Sequence, residues 1–161
     1  MRKKITVLYE RCTGCRLCEI ICSLGRSGQT SHSDARINVH SFSPGLDVPI
    51  LCVQCGEAPC MEACPVDAIR KNEQGIIEII EDECTGCELC IEACPADAIK
   101  MHPERKTALK CDLCGGSPQC VEYCPTGALD YHDVPFDTRV YAKKPEEIAK
   151  LLRKSLLGLE E

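Results

Sequence analysis

All 16 cysteines of this 161-residue chain fall into four groups of four. Cys12, Cys15, Cys18 and Cys22 form the first, in CTGCRLCEIIC, and Cys52, Cys55, Cys60 and Cys64 the second, in CVQCGEAPCMEACP. Cys84, Cys87, Cys90 and Cys94 form the third, in CTGCELCIEACP, and Cys111, Cys114, Cys120 and Cys124 the fourth, in CDLCGGSPQCVEYCP. A thiolate is a soft anionic ligand, so four at short spacing can hold a metal centre. Disulfides are the competing chemistry, favoured where dense cysteine occurs in a short secreted chain. The opening MRKKITVLYERC carries neither an apolar run of signal-peptide length nor a twin-arginine pair. A reducing, cytoplasmic setting is therefore expected, and metal ligation is the reading of the cysteines.

Spacing narrows the metal. The third group runs C-x2-C-x2-C-x3-C-P, the bacterial ferredoxin run for a [4Fe–4S] cluster, in which the fourth cysteine serves a neighbouring cluster. Three thiolates on one tight loop reach three iron corners. The x3 step then carries the chain about one helical turn onward, so the fourth thiol points elsewhere. The proline that follows stops that turn. Cys94 should therefore belong to a neighbour. Structural zinc usually takes two C-x2-C pairs across a longer spacer, a poorer match.

The elements that must position these thiols come from a repeated unit. CPVDAI at 64, CPADAI at 94 and CPTGAL at 124 recur at a 30-residue interval, the mark of a duplicated supersecondary piece. The first group departs from it, since Ser23 follows Cys22 where the others have proline, and its exit path should differ. Residues 36–39 (RINV), 75–83 (GIIEIIEDE) and 98–101 (AIKM) read as short strands flanking ligand loops. The Ser- and Gly-rich segment 23–34 reads as a loop. Gly14, Gly56, Gly86, Gly115 and Gly116 stand where a ligand loop must wrap closely. In the tail, Pro145 suits a first helical turn, with Glu146 and Glu147 at its positive end. Ile148, Leu151, Leu152, Leu156 and Leu159 then share a helical face, for packing on the domain or for docking a partner.

Composition excludes other roles. A net charge of −6 argues against a nucleic-acid surface, and no apolar stretch approaches a membrane span. The sequence has no phosphate-binding glycine motif and no cysteine left over for nucleophilic work. His32, His40, His102 and His132 are scattered singly, as surface or capping residues would be. No catalytic residue is expected.

Four such motifs in this order resemble the four-cluster ferredoxin-like subunits of the dimethyl sulfoxide reductase, formate dehydrogenase and hydrogenase iron–sulfur family. The resemblance spans roughly residues 4–132 and meets all 16 ligand positions. With DVPILCVQCGEAPC and KCDLCGG…CVEYCPTGAL, the chain is most similar to the small subunits that partner tungsten aldehyde oxidoreductase or benzoyl-CoA reductase type enzymes. The resemblance implies four [4Fe–4S] clusters with shared ligand loops. Site A takes Cys12, Cys15, Cys18 and Cys124, and site B takes Cys22, Cys111, Cys114 and Cys120. Site C takes Cys52, Cys55, Cys60 and Cys94, and site D takes Cys64, Cys84, Cys87 and Cys90.

The expected fold is α+β: two nested bacterial-ferredoxin-like double-cluster modules with short strands and helical turns, plus a C-terminal amphipathic helix. An inner module over 47–104 sits within an outer one formed by 1–46 and 105–138, with a helical tail at 139–161. The expected function is electron transfer, without catalysis by this chain alone, in a hetero-oligomer. One partner is a catalytic oxidoreductase subunit, first a tungsten- or molybdenum-pterin enzyme of the aldehyde oxidoreductase type. Another is a second redox partner such as a flavin subunit or a soluble ferredoxin. The alternatives are a hydrogenase, formate dehydrogenase or carbon monoxide dehydrogenase partner, a scaffold forming filaments through the tail helix, or a free ferredoxin.

Overall fold

The computed structural model describes residues 2–135 and 137–158. In chain order the elements are β1 (Arg2–Val7), α1 (Leu17–Ser27), β2 (Ile37–Phe42), β3 (Leu46–Leu51), α2 (Pro59–Glu62), β4 (Ile69–Lys71) and β5 (Ile77–Ile79). They continue with α3 (Leu89–Glu92), β6 (Ile99–Met101), β7 (Ala108–Lys110), α4 (Gln119–Glu122), β8 (Leu129–Val134) and α5 (Pro145–Leu152). Single 3-10 turns at Tyr9–Arg11, Glu81–Glu83, Leu113–Gly116 and Thr138–Tyr141 join them.

The strands pair as antiparallel two-stranded ribbons: β1 with β8, β2 with β3, β4 with β5, and β6 with β7. The first closes the chain on itself, with Ile5 opposite Tyr131 and Val7 opposite Leu129. The β4–β5 and β6–β7 ribbons lie between the first and last cysteine groups in sequence. The β2–β3 hairpin straddles the expected 46/47 module boundary. The strands expected at 36–39, 75–83 and 98–101 coincide with β2, β5 and β6, although the second stops at Ile79 and turns into a 3-10 helix.

Proline dictates helix length. Helices α2, α3 and α4 have four residues each, and each ends just before a Cys-Pro pair, at Cys64, Cys94 and Cys124. The residue before proline is pushed out of the helical region, and proline offers no N–H to prolong the ladder. After Cys22 no proline intervenes, so α1 runs eleven residues to Ser27 and is closed by Gly28 at φ 72°. The segment expected as loop from residue 23 is thus helical up to Ser27. Ser23 and Ser27 satisfy their hydroxyls on the carbonyls of Ile20 (2.9 Å) and Ser23 (3.0 Å), which lets hydroxyl-rich sequence stay helical.

The apolar core is divided in two. One cluster gathers Ile5, Ile37, Val48, Ile50, Leu51, Leu113, Leu129 and Ile148, and the other gathers Ala58, Ile69, Ile77, Ile99 and Ala108. Cys94 packs against both. An ion-pair network also crosses the molecule. Arg36 bridges Asp112 and Glu81, each at 2.7 Å, and Arg26 also meets Asp112. Arg105 reaches Glu81 and Asp34.

The tail helix α5 buries Pro145, Ile148 and Ala149 and packs on β3. Leu151 and Leu156 remain exposed, so the expected apolar face is split between packing and solvent. Beyond Leu152 the chain widens into a π-helical turn over Arg153–Leu157 that ends at Gly158. Leu159 lies outside the described residues. Among the described residues no helix is long and apolar enough to cross a membrane.

Candidate cluster sites

Each ligand loop is built around one backbone device. The residue before the second cysteine adopts a left-handed conformation in all four groups: Gly14 (φ 65°), Gln54 (φ 53°), Gly86 (φ 70°) and Leu113 (φ 57°). This bend turns the backbone N–H back toward the first cysteine of its group. Gln54 N donates to Cys52 Sγ at 3.3 Å, and the N–H groups of Gly14 and Leu113 act likewise on Cys12 and Cys111. Left-handed geometry costs a residue with a Cβ about 1–2 kcal/mol. Gln54 and Leu113 accept that cost and are buried. Of the other glycines, Gly115 and Gly116 also take positive φ, whereas Gly56 does not. Gly56 instead donates its N–H to Asp137 at 2.9 Å.

Three cavities are lined by cysteines in fours. Cys22, Cys111, Cys114 and Cys120 line one, together with Arg26, Arg36 and Asp112. Cys52, Cys55, Cys60 and Cys94 line a second, with Ile77 and Lys110. Cys64, Cys84, Cys87 and Cys90 line a third. These are the sets named B, C and D above. The remaining four, Cys12, Cys15, Cys18 and Cys124, lie close enough for Cys12 to feel the charges of Cys15 and Cys124, and Cys18 those of Cys12 and Cys15.

The short helices account for this sharing. Each carries a cysteine of one set and delivers, one turn later, a cysteine of its neighbour: Cys18 and Cys22 on α1, Cys120 and Cys124 on and after α4, Cys60 and Cys64 at α2, and Cys90 and Cys94 at α3. Helix α1 packs on α4, and α2 on α3, so A adjoins B and C adjoins D. Between B and C the link is electrostatic contact, since Cys111 feels the charge of Cys52. The thiol sets thus form the order A, B, C, D.

Desolvation dominates the thiols. It pushes Cys18, Cys60 and Cys111 up to about 12 and Cys90 to about 11, with neighbouring thiols adding to the effect. Cys120 is raised further still, again chiefly by burial. Cys124 goes the other way: burial pushes it up, but hydrogen bonds from Leu129, Thr126 and Ala128 outweigh this and lower it. Main-chain donors reach other sulfurs too, from Arg36 to Cys22 (3.2 Å), Ala98 to Cys94 (3.4 Å) and Ala108 to Cys84 (3.4 Å). Anionic sulfur is what such donors stabilise. None of the 16 cysteines forms a disulfide. Soft donors surrounding a cavity, with N–H groups aimed at sulfur, fit an iron–sulfur cubane.

The comparisons agree on this chemistry. A family model described as a 4Fe-4S dicluster domain matches residues 46–134, and one described as a 4Fe-4S binding domain matches residues 9–25. The chain belongs to the 4Fe-4S dicluster domain family. The polyferredoxin-like subunit of an aliphatic sulfonate oxidoreductase from Pyrococcus furiosus is 40% identical over 84 residues, covering 52% of this chain and 49% of that protein. The electron transport protein HydN of Escherichia coli is 30% identical over 96 residues, covering 55% and 53%. The chain therefore spans about half the length of these curated relatives. The fold matches a chain of the BamBC active-site complex of benzoyl coenzyme A reductase with benzoyl-CoA, at 21% identity, 95% and 90% coverage and a TM-score of 0.50.

The sequence reading missed a buried polar joint between sets B and C. Gln54 donates its side-chain amide to the carbonyls of Ile77 (3.3 Å) and Cys111 (2.9 Å) and accepts from Ile77 N (2.8 Å). Lys110, 2% exposed, donates to the same two carbonyls. Lys4 donates to Gln54 O (2.8 Å) and Thr138 Oγ1 (2.7 Å). The available signal was Gln54 standing where two other loops have glycine. The histidines keep to minor roles. His102 is buried and Nδ1 accepts from the N–H groups of Glu104 and Arg105, leaving its proton on Nε2 for Asp34 at 2.6 Å. His32 lies 2.5 Å from Glu19, which also holds Val39 N.

Proposed function

We propose that the chain is an electron-transfer iron–sulfur subunit holding four [4Fe–4S] clusters. In this reading each of the sets A to D supplies four iron ligands, 16 in all. The inner pair, C and D, is nested in an outer pair, A and B, with the inner module over 47–104 and the outer module over 1–46 and 105–138. A bound cubane accepts and passes on single electrons, at a potential tuned by charge, hydrogen bonds to sulfur and exposure. The chain's own residues hold the cubanes, shield the interior ones and leave the ends open.

The observation that carries this reading is the sharing of short helices between adjacent thiol sets, in the order A, B, C, D, together with where exposure falls. Cys15 of A and Cys87 of D are exposed, while Cys111, Cys120, Cys52 and Cys60 of the interior sets are buried, as is Cys90 of D. Exposed apolar residues lie on the elements shared by A and B, at Ile20, Leu24 and Tyr123, and on those shared by C and D, at Val66 and Leu89. Two faces for two redox partners follow from that arrangement.

The first choice of catalytic partner is a tungsten- or molybdenum-pterin oxidoreductase of the aldehyde oxidoreductase type. The similarity to a polyferredoxin-like subunit of another oxidoreductase supports a catalytic partner in general. A hydrogenase, formate dehydrogenase or carbon monoxide dehydrogenase partner is the second reading. The HydN relative and hydrogenase-4 component A of Escherichia coli, 36% identical over 78 residues, favour it. Elemental analysis of the anaerobically purified native complex separates these partners. Tungsten or molybdenum beside iron supports a pterin enzyme, formate dehydrogenase included, nickel supports a hydrogenase or carbon monoxide dehydrogenase, and iron alone contradicts a stable pterin- or nickel-enzyme partner and returns the chain to a free carrier.

A further inference from the structure

Lys110 is among the largest fully buried side chains of the molecule, and it lies at the junction of the two interior sites. It lines the cavity of set C, and the next residue, Cys111, lines that of set B. The ammonium bonds the carbonyls of Ile77 and Cys111. No carboxylate pairs with it among the described residues. Burying a cation costs several kcal/mol unless an opposite charge is near. A purely mechanical role does not account for that cost, because the neutral Gln54 amide already ties the same two carbonyls together. The anions placed to balance the ammonium are sulfurs of C and B, since Cys60 and Cys111 feel its charge.

We propose that Lys110 is a fixed counter-charge shared by sites B and C and raises their reduction potentials above what the same sites would show without it. This rests on the four-cluster reading given above. A reduced cubane carries one more negative charge than an oxidised one. A nearby cation in a low-dielectric interior therefore favours the reduced form. The first electrons entering the chain would then reside at the interior sites, away from solvent and from the exposed Cys15 and Cys87.

The test is a potentiometric titration followed by electron paramagnetic resonance on anaerobic wild type, Lys110→Gln and Lys110→Arg, with iron counted in each. Wild-type iron tests the four-cluster reading separately, since about 16 atoms per chain are required. With iron intact, Lys110→Gln should make two of the four reduction steps at least tenfold less favourable, about 59 mV lower for one electron. The other two should stay put, and Lys110→Arg should retain wild-type potentials. Unmoved steps, or four steps moved alike, overturn the proposal. Should Lys110→Gln lose the iron of two sites, Lys110→Arg decides: iron and potentials kept support a requirement for charge, and iron lost as in Lys110→Gln overturns it.

Discussion

Replacing Gly86 by alanine separates the two demands placed on the ligand loops. The position before the second cysteine is left-handed in every loop, and Gln54 and Leu113 fill it in two of them. Left-handed strain, about 1–2 kcal/mol for a residue with a Cβ, is therefore tolerable by itself. At Gly86 a second demand is added. A Cβ there would collide with the carbonyl oxygen of Lys106, in the turn joining β6 to β7. That turn is pinned by Lys106 N bonding His102 O at 3.1 Å and by His102 N bonding Thr107 O at 2.8 Å. Moving the carbonyl means deforming the turn, and overpacking of that kind typically costs a further 1–3 kcal/mol or so. Gly86→Ala should thus cost about 2–5 kcal/mol. Gly14 is the control, since the nearest atoms its Cβ would meet belong to the Asp47 carboxylate. A side-chain tip can swing aside, so Gly14→Ala should cost roughly 1–2 kcal/mol. The assay is the rate at which visible iron–sulfur absorbance is lost in a fixed anaerobic urea concentration. At about 1.4 kcal/mol per tenfold, Gly86→Ala should bleach roughly five- to a hundredfold faster than Gly14→Ala. Equal rates, or Gly14→Ala the faster, would refute the claim that the Lys106 carbonyl distinguishes the two loops.

Cys94→Ala should perturb the centre held by Cys52, Cys55 and Cys60 and spare that of Cys84, Cys87 and Cys90, from whose motif it comes. Electron paramagnetic resonance of the reduced variant checks which signal changes. Cys111, buried and raised from 9.0 to about 12 chiefly by desolvation, makes the cluster-free chain favour the neutral thiol. The stability this contributes is full below the ordinary thiol value and is lost as pH rises from about 9 toward 12, so urea midpoints of that chain should fall across this window. Loading the sites must expel these protons, so reconstitution at pH 7 should acidify a weakly buffered solution. Ile148→Ala should cost about 2–4 kcal/mol where α5 packs on β3, while Leu151→Ala, at an exposed position, should leave the thermal midpoint within a degree or two.

Much of this arrangement was legible in the cysteines because ligand spacing is a local geometric constraint. The x3 step and the proline after Cys64, Cys94 and Cys124 translate directly into one-turn helices that stop. The serine after Cys22 translates into a helix that continues, and the Ser- and Gly-rich composition concealed that extension because the hydroxyls bond back to the helix. Strands β2, β5 and β6 were visible from short runs bearing isoleucine and valine. The joint at Lys4, Gln54 and Lys110 was not. Its partners are backbone carbonyls and a hydroxyl from distant segments, and no pattern along one segment encodes such a meeting. The same holds for the network from Arg36 to Asp112 and Glu81. Its members read individually as surface charge.

In the proposed function all 16 cysteines serve cubanes in this one chain. Iron and acid-labile sulfide, counted per chain on protein purified without oxygen, test it most directly. About 16 of each are expected. A reproducible value near 8 or 12 in protein with no cluster loss on handling, or zinc in place of iron at any set, would contradict it.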